Sequence, residues 1–296
     1  MEVVLLGTSS MVPTKERNHF ASLISYRDEK ILIDCGEGTQ RQIRKAGISP
    51  MKITRILISH WHGDHILGLP GLLQTIAQQD YNKEIMIYGP KGTKKNFDNM
   101  FNFFIAHDKL KYKVIEIEEG KFFDNKYFEL VAMPLEHGTK TLGYALIEKD
   151  KKKIIMSYVR KQGLKEGPIM KRLQEGKDIT HNGKKILASK ATVKVLGKKI
   201  VFITDTVMCN NTVKLAKNAD LLFCEATFIE EEKNKAKEFL HLTAKQAATI
   251  AKKAKAQKLV LYHFSQRYKN VKAHVEEAKK VFNNVTAGED LEEFEL

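Results

Sequence analysis

Short apolar runs recur along most of the chain and alternate with polar stretches. Several have the length and composition of β-strands; they cover residues 3–7, 21–26, 30–35, 53–59, 84–89, 127–133, 142–148, 199–205, 220–225 and 258–264. Over residues 243–256 and 271–282 the apolar positions instead recur every three to four residues, which predicts helices. Further helices are expected after GEGTQ (36–40) and near Asp64. Strands with an apolar face and intervening helices predict a layered α/β fold in one large domain, residues 1–296.

One region departs from this alternation. Residues 149–198 contain lysine clusters, several glycines and little sustained periodicity. Within them, GLKEGPIMKRLQEG (163–176) predicts a short helix between glycine breaks, with Pro168 in its first turn. We interpret the region as an insertion or projecting arm, with approximate boundaries at residues 149–180.

The charge of the chain is concentrated in the same region. The formal net charge is +14, from 50 lysines and arginines against 36 aspartates and glutamates. Residues 149–199 alone contain sixteen basic and four acidic residues. A solvated lysine-rich face is one interpretation. Because most of the excess of basic over acidic residues lies in about one sixth of the chain, a polyanionic partner is favoured instead.

Hydropathy and cysteine usage indicate the setting of the protein. No window approaches 18 consecutive apolar residues, so no transmembrane helix is expected. The stretch MEVVLLGTSS has no basic leader and predicts a first strand rather than a signal peptide. Cys35, Cys209 and Cys224 are scattered and form no C-x-x-C pair, which favours a reducing, cytoplasmic setting without disulfides.

The densest group of candidate metal ligands lies in ILISHWHGDHILGLPGLL. His60, His62, Asp64 and His65 form the pattern H-x-H-x-D-H, and imidazole and carboxylate are ligands of borderline divalent ions. Alternate residues that leave a strand point to the same side, so the first two histidines can reach one ion. The chain then turns at Gly63, after which Asp64 and His65 can face a neighbouring ion. A lone histidine is most often structural, but this spacing indicates a metal site.

Other predicted strand ends offer the remaining ligands. His137, Asp205 and His263 each lie at or just beyond a predicted strand, where α/β folds expose site residues. Each alone can equally be a structural residue. Together they provide the nitrogen and oxygen ligands that two zinc ions need. Asp34, near the end of KILIDC, can orient a ligand imidazole by a hydrogen bond.

These motifs resemble the metallo-β-lactamase superfamily and, more closely, the ribonuclease Z family of tRNA 3′-processing endonucleases. The resemblance runs nearly end to end and rests on PTKERN (13–18), DCGEGTQRQ (34–42), SHWHGDHILGLPGLL (59–73), EHGTKTLGYAL (136–146), GLKEGP (163–168), ITDT (203–206), EATF (225–228), HLTA (241–244) and HFSQRY (263–268). It implies a four-layer αββα sandwich with a projecting basic arm, a single catalytic domain and two zinc ions per chain.

The resemblance also implies which residues hold each ion. Two groups of three residues would each bind one zinc, with an aspartate bridging both: His60, His62 and His137 for the first, Asp64, His65 and His263 for the second, and Asp205 as the bridge. The spacing of the residues does not by itself establish this division.

A reaction follows from the same resemblance. Metal-bound hydroxide would attack the phosphodiester after the discriminator nucleotide of precursor tRNA, leaving a 3′-hydroxyl on the tRNA and a 5′-phosphate on the trailer. Asp64 would act as general base, and His241, held by Glu225, would donate a proton to the leaving oxygen. From the residues alone, His241 can equally do no more than precede a helix whose N-cap is Thr243.

RNA contacts and assembly are implied in the same way. Lys15, Arg17 and Asn18 of PTKERN are candidates for contacting the RNA 3′ end, and a polar surface turn is the alternative interpretation. Gly167 and Pro168 resemble part of the family's RNA-binding arm, which contacts the tRNA body. The resemblance further implies a homodimer that binds no nucleotide cofactor and no membrane.

Two other functions remain open from the sequence. The H-x-H-x-D-H motif is compatible with another hydrolase of the same fold, such as a general phosphodiesterase, a thioesterase or a lactonase. A non-catalytic RNA-binding protein that contains zinc is the second. The basic insertion, HLT and HFSQRY favour the nuclease over other hydrolases. The complete ligand set and the Glu225–His241 pair argue against a non-catalytic role.

Overall fold

Two compact units make up the described part of the chain in the computed structural model, which covers residues 1–79, 83–102 and 110–296. The first unit consists of Met1–Phe123, Leu130–Leu146 and Lys199–Leu296, and the second of Asp124–Glu129 and Ile147–Lys198. All of the predicted metal ligands belong to the first unit.

One seven-stranded sheet within the described residues contains the N-terminal strands. Its members are β1 (Glu2–Gly7), β2 (Ala21–Tyr26), β3 (Glu29–Ile33), β4 (Arg55–Leu57), β5 (Ile85–Gly89), β6 (Tyr112–Glu116) and β18 (Glu293–Glu295), in the order β18-β1-β2-β3-β4-β5-β6. Pairing is antiparallel from β18 to β3 and parallel from β3 to β6. The parallel pairing places the ends of β3 and β4 at the same edge of the sheet.

A second sheet, also of seven described strands, contains the later ones. Its members are β7 (Gly120–Asp124), β8 (Phe128–Glu136), β9 (Lys140–Glu148), β14 (Lys199–Ile203), β15 (Leu221–Glu225), β16 (Lys258–Tyr262) and β17 (Val285–Ala287), in the order β17-β16-β15-β14-β9-β8-β7. Strands β14 to β17 are parallel. Their continuous apolar runs, such as LLFCE, are buried throughout, as is usual for parallel strands covered on both faces.

Helices cover both sheets of the first unit. They are α1 (Thr39–Lys45), α2 (Gly63–Ile66), α3 (Leu69–Ala77), α4 (Thr93–Asn102), α8 (Asn210–Ala216), α9 (Lys233–Glu238), α10 (Ala244–Ala254) and α11 (Lys272–Lys279). Helices α1, α3 and α4 share an apolar core with the first sheet, and α8, α10 and α11 pack on the second. Helix α10 presents a row of buried alanines to its sheet, which allows close packing.

The remaining faces of the two sheets pack against each other. The hydroxyl of Tyr144 on β9 donates a hydrogen bond of 2.6 Å to the carbonyl of Ile58, just after β4. The rings of Phe20 and Tyr262 stack with their centroids 4.3 Å apart. The helix–sheet–sheet–helix order agrees with the αββα architecture expected from the sequence.

Four strands end two residues earlier than the apolar pattern predicts. The strands expected to reach residues 35, 59, 205 and 264 end at Ile33, Leu57, Ile203 and Tyr262. The residues that follow two of these ends, Asp34 (φ 55°) and His263 (φ 64°), adopt left-handed backbone conformations, which no strand accommodates. An apolar pattern does not reveal this change, because the neighbouring side chains remain buried.

The predicted insertion contains regular structure. Its elements are β10 (Lys151–Ile154), α5 (Met156–Lys161), α6 (Ile169–Gln174), β11 (Ile179–His181), β12 (Lys184–Ile186), α7 (Ala188–Ala191) and β13 (Thr192–Val195). Strand β10 pairs with β13, β11 pairs with β12, and the helices bury their own apolar cluster around Val159, Leu173 and Ile186. The short helix predicted between the glycine breaks of residues 163–176 is confirmed as α6. It starts directly after Pro168, its N-cap, and ends before Gly176 (φ 84°).

The structure also bears on membrane-spanning helices and on the cysteines. Among the described residues, no helix has both the length and the apolar character needed to cross a bilayer. Cys35 and Cys224 are buried free thiols, and Cys209 is a partly exposed one.

Candidate functional site

Several strand ends converge on one site in the first unit. The convergent residues are Asp34 after β3, His60 and His62 after β4, Asp205 after β14, Glu225 at the end of β15 and His263 after β16. Helix α2 adds Asp64 and His65, and the turn between β8 and β9 adds His137. Strand ends of a packed α/β core hold side chains rigidly, so this arrangement is suited to a preorganised site.

His60, His62 and His137 form a first group. Nδ1 of His62 lies 3.0 Å from Nε2 of His60 and 3.2 Å from Nε2 of His137. The backbone at His62 is extended, which places its side chain on the same side as that of His60. The outer nitrogens have partners, because Nδ1 of His60 lies 2.9 Å from Ser59 Oγ and Nδ1 of His137 lies 2.9 Å from the carbonyl of Leu240. These contacts direct both Nε2 atoms into the group.

Asp64, His65, Asp205 and His263 form a second group, and all four are buried. Nε2 of His65 lies 3.4 Å from Asp64 Oδ2 and 3.3 Å from Asp205 Oδ2. Nε2 of His263 lies 3.4 Å from Asp64 Oδ2 and 3.3 Å from Asp205 Oδ1. Two carboxylates and two imidazoles therefore face a common centre.

Asp205 lies between the two groups. In addition to its contacts in the second group, its Oδ2 is 3.7 Å from Nε2 of His60 and 4.0 Å from Nε2 of His137. The structure thus brings all seven predicted ligand residues together at one site. Which of them bind which ion stays a prediction.

Three buried atoms test whether these residues suit a metal. Within the described residues, Nε2 of His65, Oδ1 of Asp64 and Oδ1 of Asp205 are buried and have no hydrogen-bond partner of acceptable geometry. Buried polar atoms are ordinarily satisfied, so three orphans that belong to one cluster point to a ligand. Imidazole nitrogens with carboxylate oxygens are the donors that zinc and related divalent ions take. The cluster therefore fits metal ions.

Asp34 orients one ligand imidazole. Its Oδ2 lies 2.7 Å from Nδ1 of His65 and accepts a hydrogen bond of 2.6 Å from the Ser59 hydroxyl, and its Oδ1 accepts one of 2.6 Å from the Ser59 backbone N–H. The contact with His65 leaves Nε2 facing the second group. Gly68 permits the close approach of α2, because a Cβ there would lie 2.1 Å from the carbonyl oxygen of Gly36.

The charges in the second group depend on one another. Burial opposes ionisation of Asp64 and Asp205, but the neighbouring imidazoles of His65 and His263 outweigh it and hold both carboxyl pKa values below their usual range. Burial also opposes a charge on His65, yet Asp205, Asp64 and Asp34 raise its pKa well above the usual value. The carboxylates that favour a proton on His65 offer the same charge complementarity to divalent cations, which displace protons from such ligands.

Glu225 and His241 form a pair beside the ligands. Nδ1 of His241 lies 3.0 Å from Oε1 of Glu225. The Glu225 carboxylate is fully buried and also accepts hydrogen bonds of 3.0–3.1 Å from the backbone N–H groups of Thr206, Thr227 and Leu242. These hydrogen bonds fix the position of the carboxylate beside the imidazole of His241.

The segment after His241 also has the helical role that the sequence allows. The side chain of Thr243 accepts a hydrogen bond from the backbone N–H of Gln246, and the Gln246 side chain accepts one from Thr243 in return. This capping box starts α10. The helical interpretation of the segment is therefore confirmed. The ring of His241 also lies at the site, and its catalytic role stays a prediction.

A cavity of about 400 Å³ opens at the cluster. Its lining includes the polar side chains His62, Asp64, His137, Asp205, His241 and His263. It also includes Phe228 and Arg267, which belong to the EATF and HFSQRY motifs, and Met11, Val12 and Phe239, which no sequence motif indicated. Substrate has access to the proposed ligands from this side.

The PTKERN loop contains one residue with a clear structural task. The Asn18 side chain donates a hydrogen bond of 2.7 Å to the carbonyl of Glu37, which fixes the loop to the start of α1. The Arg17 guanidinium lies 5.2 Å from the ring centre of Phe264, and Lys15 is exposed. The predicted contacts of this loop with RNA stay predictions. Gly167 and Pro168 are exposed in the second unit.

The sequence patterns gave no sign of Asp290, which holds the same loop. Its Oδ2 accepts hydrogen bonds from the backbone N–H of Asn18 at 2.7 Å and from the Gln42 side chain at 3.1 Å, and its Oδ1 accepts one of 2.8 Å from the Thr8 hydroxyl. The contact with Asn18 spans 272 positions of the chain, so no local spacing can indicate it. The hydroxyl of Thr227 lies 3.0 Å from Nδ1 of His263. Thr227 belongs to the EATF motif, so the sequence does mark this residue.

Comparison with known proteins identifies relatives over the full length of the chain. The family model described as Anti-Pycsar protein Apyc1 matches residues 1–286. Ribonuclease Z of Chlamydia abortus is 42% identical over 294 residues, which cover 99% of this chain and 96% of the relative. Ribonuclease Z of Bacillus cereus is 38% identical over 303 residues, which cover 99% of each.

Solved structures share the same fold. Human tRNase Z, short form, superposes with a TM-score of 0.74 at 30% identity, covering 100% of this chain and 99% of the human one. The metallo-β-lactamase fold protein YhfI from Bacillus subtilis has a TM-score of 0.72 at 18% identity, with 99% and 98% covered. The fold class expected from the sequence is confirmed.

Replacing the aspartate between the two groups tests the metal site. Asp205→Asn keeps the shape of the side chain but removes a charge that faces both groups, so we expect metal affinity to fall by at least roughly 10- to 100-fold. Metal content after dialysis against a weak chelator, measured by mass spectrometry, checks this. Asp98→Asn, an exposed aspartate on α4, is the matched control and should keep the wild-type content. Equal metal content in the two variants would contradict the assignment.

Proposed function

The chain belongs to the ribonuclease Z family and to the family described as Anti-Pycsar protein Apyc1, and on this premise we propose that it is the metal-dependent endonuclease that removes the 3′ trailer from precursor tRNA. The observation that carries the proposal is the 42% identity to ribonuclease Z over 99% of the chain. Cleavage falls after the discriminator nucleotide and leaves a 3′-hydroxyl on the tRNA and a 5′-phosphate on the trailer.

Two divalent ions, in the first place zinc, are the proposed cofactor. One would be held by His60, His62 and His137, the other by Asp64, His65 and His263, with Asp205 shared between them. When bound, such a pair supplies Lewis acidity and an activated water near neutral pH. The donor set and two of the orphaned buried atoms, Nε2 of His65 and Oδ1 of Asp205, support this assignment.

Asp64 is proposed to orient the attacking water and accept its proton. Its Oδ2 faces the ligand imidazoles of His65 and His263 at 3.4 Å. Its Oδ1 has no hydrogen-bond partner among the residues that the structure describes. One oxygen is therefore committed to positioning, while the other is available for proton transfer.

His241 is proposed to protonate the leaving oxygen. Glu225 occupies Nδ1 of the ring, which leaves Nε2 for the substrate. Burial opposes a charge on this imidazole, but the carboxylates of Glu225 and Asp205 outweigh it and raise the pKa of His241 to about 9. The ring therefore holds a proton at neutral pH, as a general acid must. A ribose 3′-oxygen is a poor leaving group until it receives that proton.

The second unit is proposed to grip the tRNA body. Lys161, Lys165 and Lys171 are exposed around the GLKEGP segment. A-form stems are bound through phosphates, 2′-hydroxyls and shape, which suits such a surface. Gly167 and Pro168 end the segment, and the absence of a side chain at Gly167 lets a phosphate approach the backbone.

Further aspects of the proposal rest on the family. Lys15 and Arg17 would contact the RNA 3′ end, with Asn18 holding their loop. The enzyme would act as a homodimer in the cytoplasm, without a nucleotide cofactor. The free cysteines are compatible with a reducing compartment.

Mapping the ends of the product tests the function directly. An end-labelled precursor tRNA is incubated with metal-replete enzyme and with enzyme treated with a chelator. We expect a 3′-hydroxyl immediately after the discriminator nucleotide with the first sample and intact precursor with the second, because the site requires metal ions. Cleavage that persists at the same rate after chelation would contradict the proposal.

The same preparation distinguishes the other hydrolases of this fold. Values of kcat/KM are compared for precursor tRNA, bis(p-nitrophenyl) phosphate, a glutathione thioester and a lactone. If kcat/KM were higher for one of the small substrates than for precursor tRNA, hydrolysis of that substrate class would be the main activity and the nuclease proposal would be wrong.

His241→Ala should retain its metal ions and lose RNA cleavage by roughly 10²- to 10⁴-fold in kcat, since the general acid is gone. Hydrolysis of bis(p-nitrophenyl) phosphate should fall far less, because nitrophenolate leaves without a proton. Thr243→Ala is the control for a purely structural role. It removes the cap of α10, costs about 1 kcal/mol of folding free energy and should leave kcat near wild type. Parallel loss of metal and activity in His241→Ala would indicate a structural role instead.

A triple substitution tests the RNA-binding role of the second unit. Replacing Lys161, Lys165 and Lys171 by alanine should raise Kd for precursor tRNA and make the slope of log Kd against log salt shallower by about 2–3, as expected when three phosphate contacts are lost. Hydrolysis of bis(p-nitrophenyl) phosphate should not change. The matched control replaces Lys252, Lys253 and Lys255, three exposed lysines at the end of α10. An unchanged salt slope in the first variant would exclude these lysines from the interface.

A further inference from the structure

Exposed apolar side chains line the same cavity as the proposed metal ligands. Met11 is 57% exposed, Val12 43% and Phe239 51%, which places them among the most exposed large apolar residues that the structure describes. Single exposed apolar residues are common on protein surfaces and need no explanation. Three that line one catalytic cavity are different, because water must be displaced from them by whatever enters.

The backbone that carries Met11 and Val12 is fixed. The carbonyl of Met11 lies 3.0 Å from Nε2 of His19, and the carbonyl of Val12 accepts a hydrogen bond of 2.7 Å from the Ser9 hydroxyl. His19 and Ser9 are both buried. The two apolar side chains are therefore presented to the cavity by an ordered loop.

Phe239 is tied to the catalytic residues. It ends α9 and lies almost parallel to the buried ring of Phe228, at an angle of 15° and a centroid distance of 6.3 Å. The next residue, Leu240, has a left-handed backbone (φ 58°), and its carbonyl lies 2.9 Å from the ring of His137. His241 follows directly. One short turn thus carries an exposed ring, a contact to a proposed metal ligand and the proposed general acid.

We propose that Phe239, with Met11 and Val12, forms a stacking subsite for the base of an unpaired nucleotide next to the scissile phosphate. The inference rests on the proposed function and specifies how the substrate is positioned. Unpaired bases bind proteins mainly by stacking on aromatic and apolar side chains. A base held against Phe239 would set the adjacent phosphate between the metal ligands and His241.

A cation in the same lining favours a nucleotide over an apolar group. The Arg267 guanidinium lies 5.1 Å from the ring centre of Phe228 and is held by Glu232 at 3.0 Å and by the Ser265 hydroxyl at 3.0 Å. Arginine suits phosphate groups and the faces of bases alike. The apolar side chains, the guanidinium of Arg267 and the Glu225–His241 pair together match the base and the phosphate of one nucleotide.

A double-mutant cycle between enzyme and substrate tests the subsite. Wild type and Phe239→Ala are each assayed on intact precursor tRNA and on precursors with one abasic nucleotide, at the discriminator or at the first or second trailer position. We expect one abasic position to lower the wild-type kcat/KM by roughly 5- to 100-fold, the size of a base–aromatic stack. Phe239→Ala should lose about as much on the intact precursor. Phe239→Ala assayed on that abasic precursor should show no larger decrease in kcat/KM than either change alone.

Two further variants separate stacking from structure. Phe239→Tyr keeps the ring and should behave as wild type, whereas Phe239→Leu keeps an apolar side chain without a ring and should resemble Phe239→Ala. The subsite would be overturned if the decreases in kcat/KM from Phe239→Ala and from the abasic nucleotide multiplied at all three positions. Wild-type activity of Phe239→Leu would overturn it as well. Neither result would contradict the nuclease activity. Failure of wild type to cut the intact precursor would overturn the proposed function and the inference with it.

Discussion

The structure depends above all on the burial of two neighbouring carboxylates, those of Asp64 and Asp205. Their ligand atoms lie within 4.8 Å of one another, and almost none of either residue reaches solvent. Like charges this close in a weakly polar interior repel strongly and require positive charge beside them. The neighbouring imidazoles provide part of this positive charge, and the arrangement of the ligand atoms is suited to metal cations that provide the remainder. Because buried ligands are satisfied only when the ions bind, the free energy of folding and the metal affinity of this protein are linked.

The proposed chemistry and the proposed recognition of RNA involve different parts of the chain. The first unit supplies every proposed ligand from strand ends and short turns, where a packed core fixes side-chain positions. The second unit has its own apolar cluster around Val159 and Leu173 beneath a lysine-rich surface. Because its stability comes from its own buried residues, that surface can change in charge without disturbing the metal ligands.

Sequence patterns predict much of the fold and the ligands, and fail where long-range contacts decide. Short apolar runs identify the main strands of both sheets, and H-x-H-x-D-H identifies four of the proposed ligands. The small strands β10 and β12 consist mostly of lysine, so no apolar run marks them. Strand β10 forms by pairing with the distant β13, and β12 forms a hairpin with β11. Asp290 acts on a loop at the other end of the chain. Phe239 lies in the short connection between α9 and α10, where no helical or strand periodicity continues to mark it.

The left-handed residues at the site set a limit on how far this protein can be stabilised. Asp34 and His263 adopt backbone conformations that glycine would accept at lower cost, yet both positions need their side chains. The strain is therefore retained because the site requires it. An engineering campaign that ranks substitutions by melting temperature alone would favour glycine at these two positions and inactivate the enzyme, so both must be held fixed in any such library.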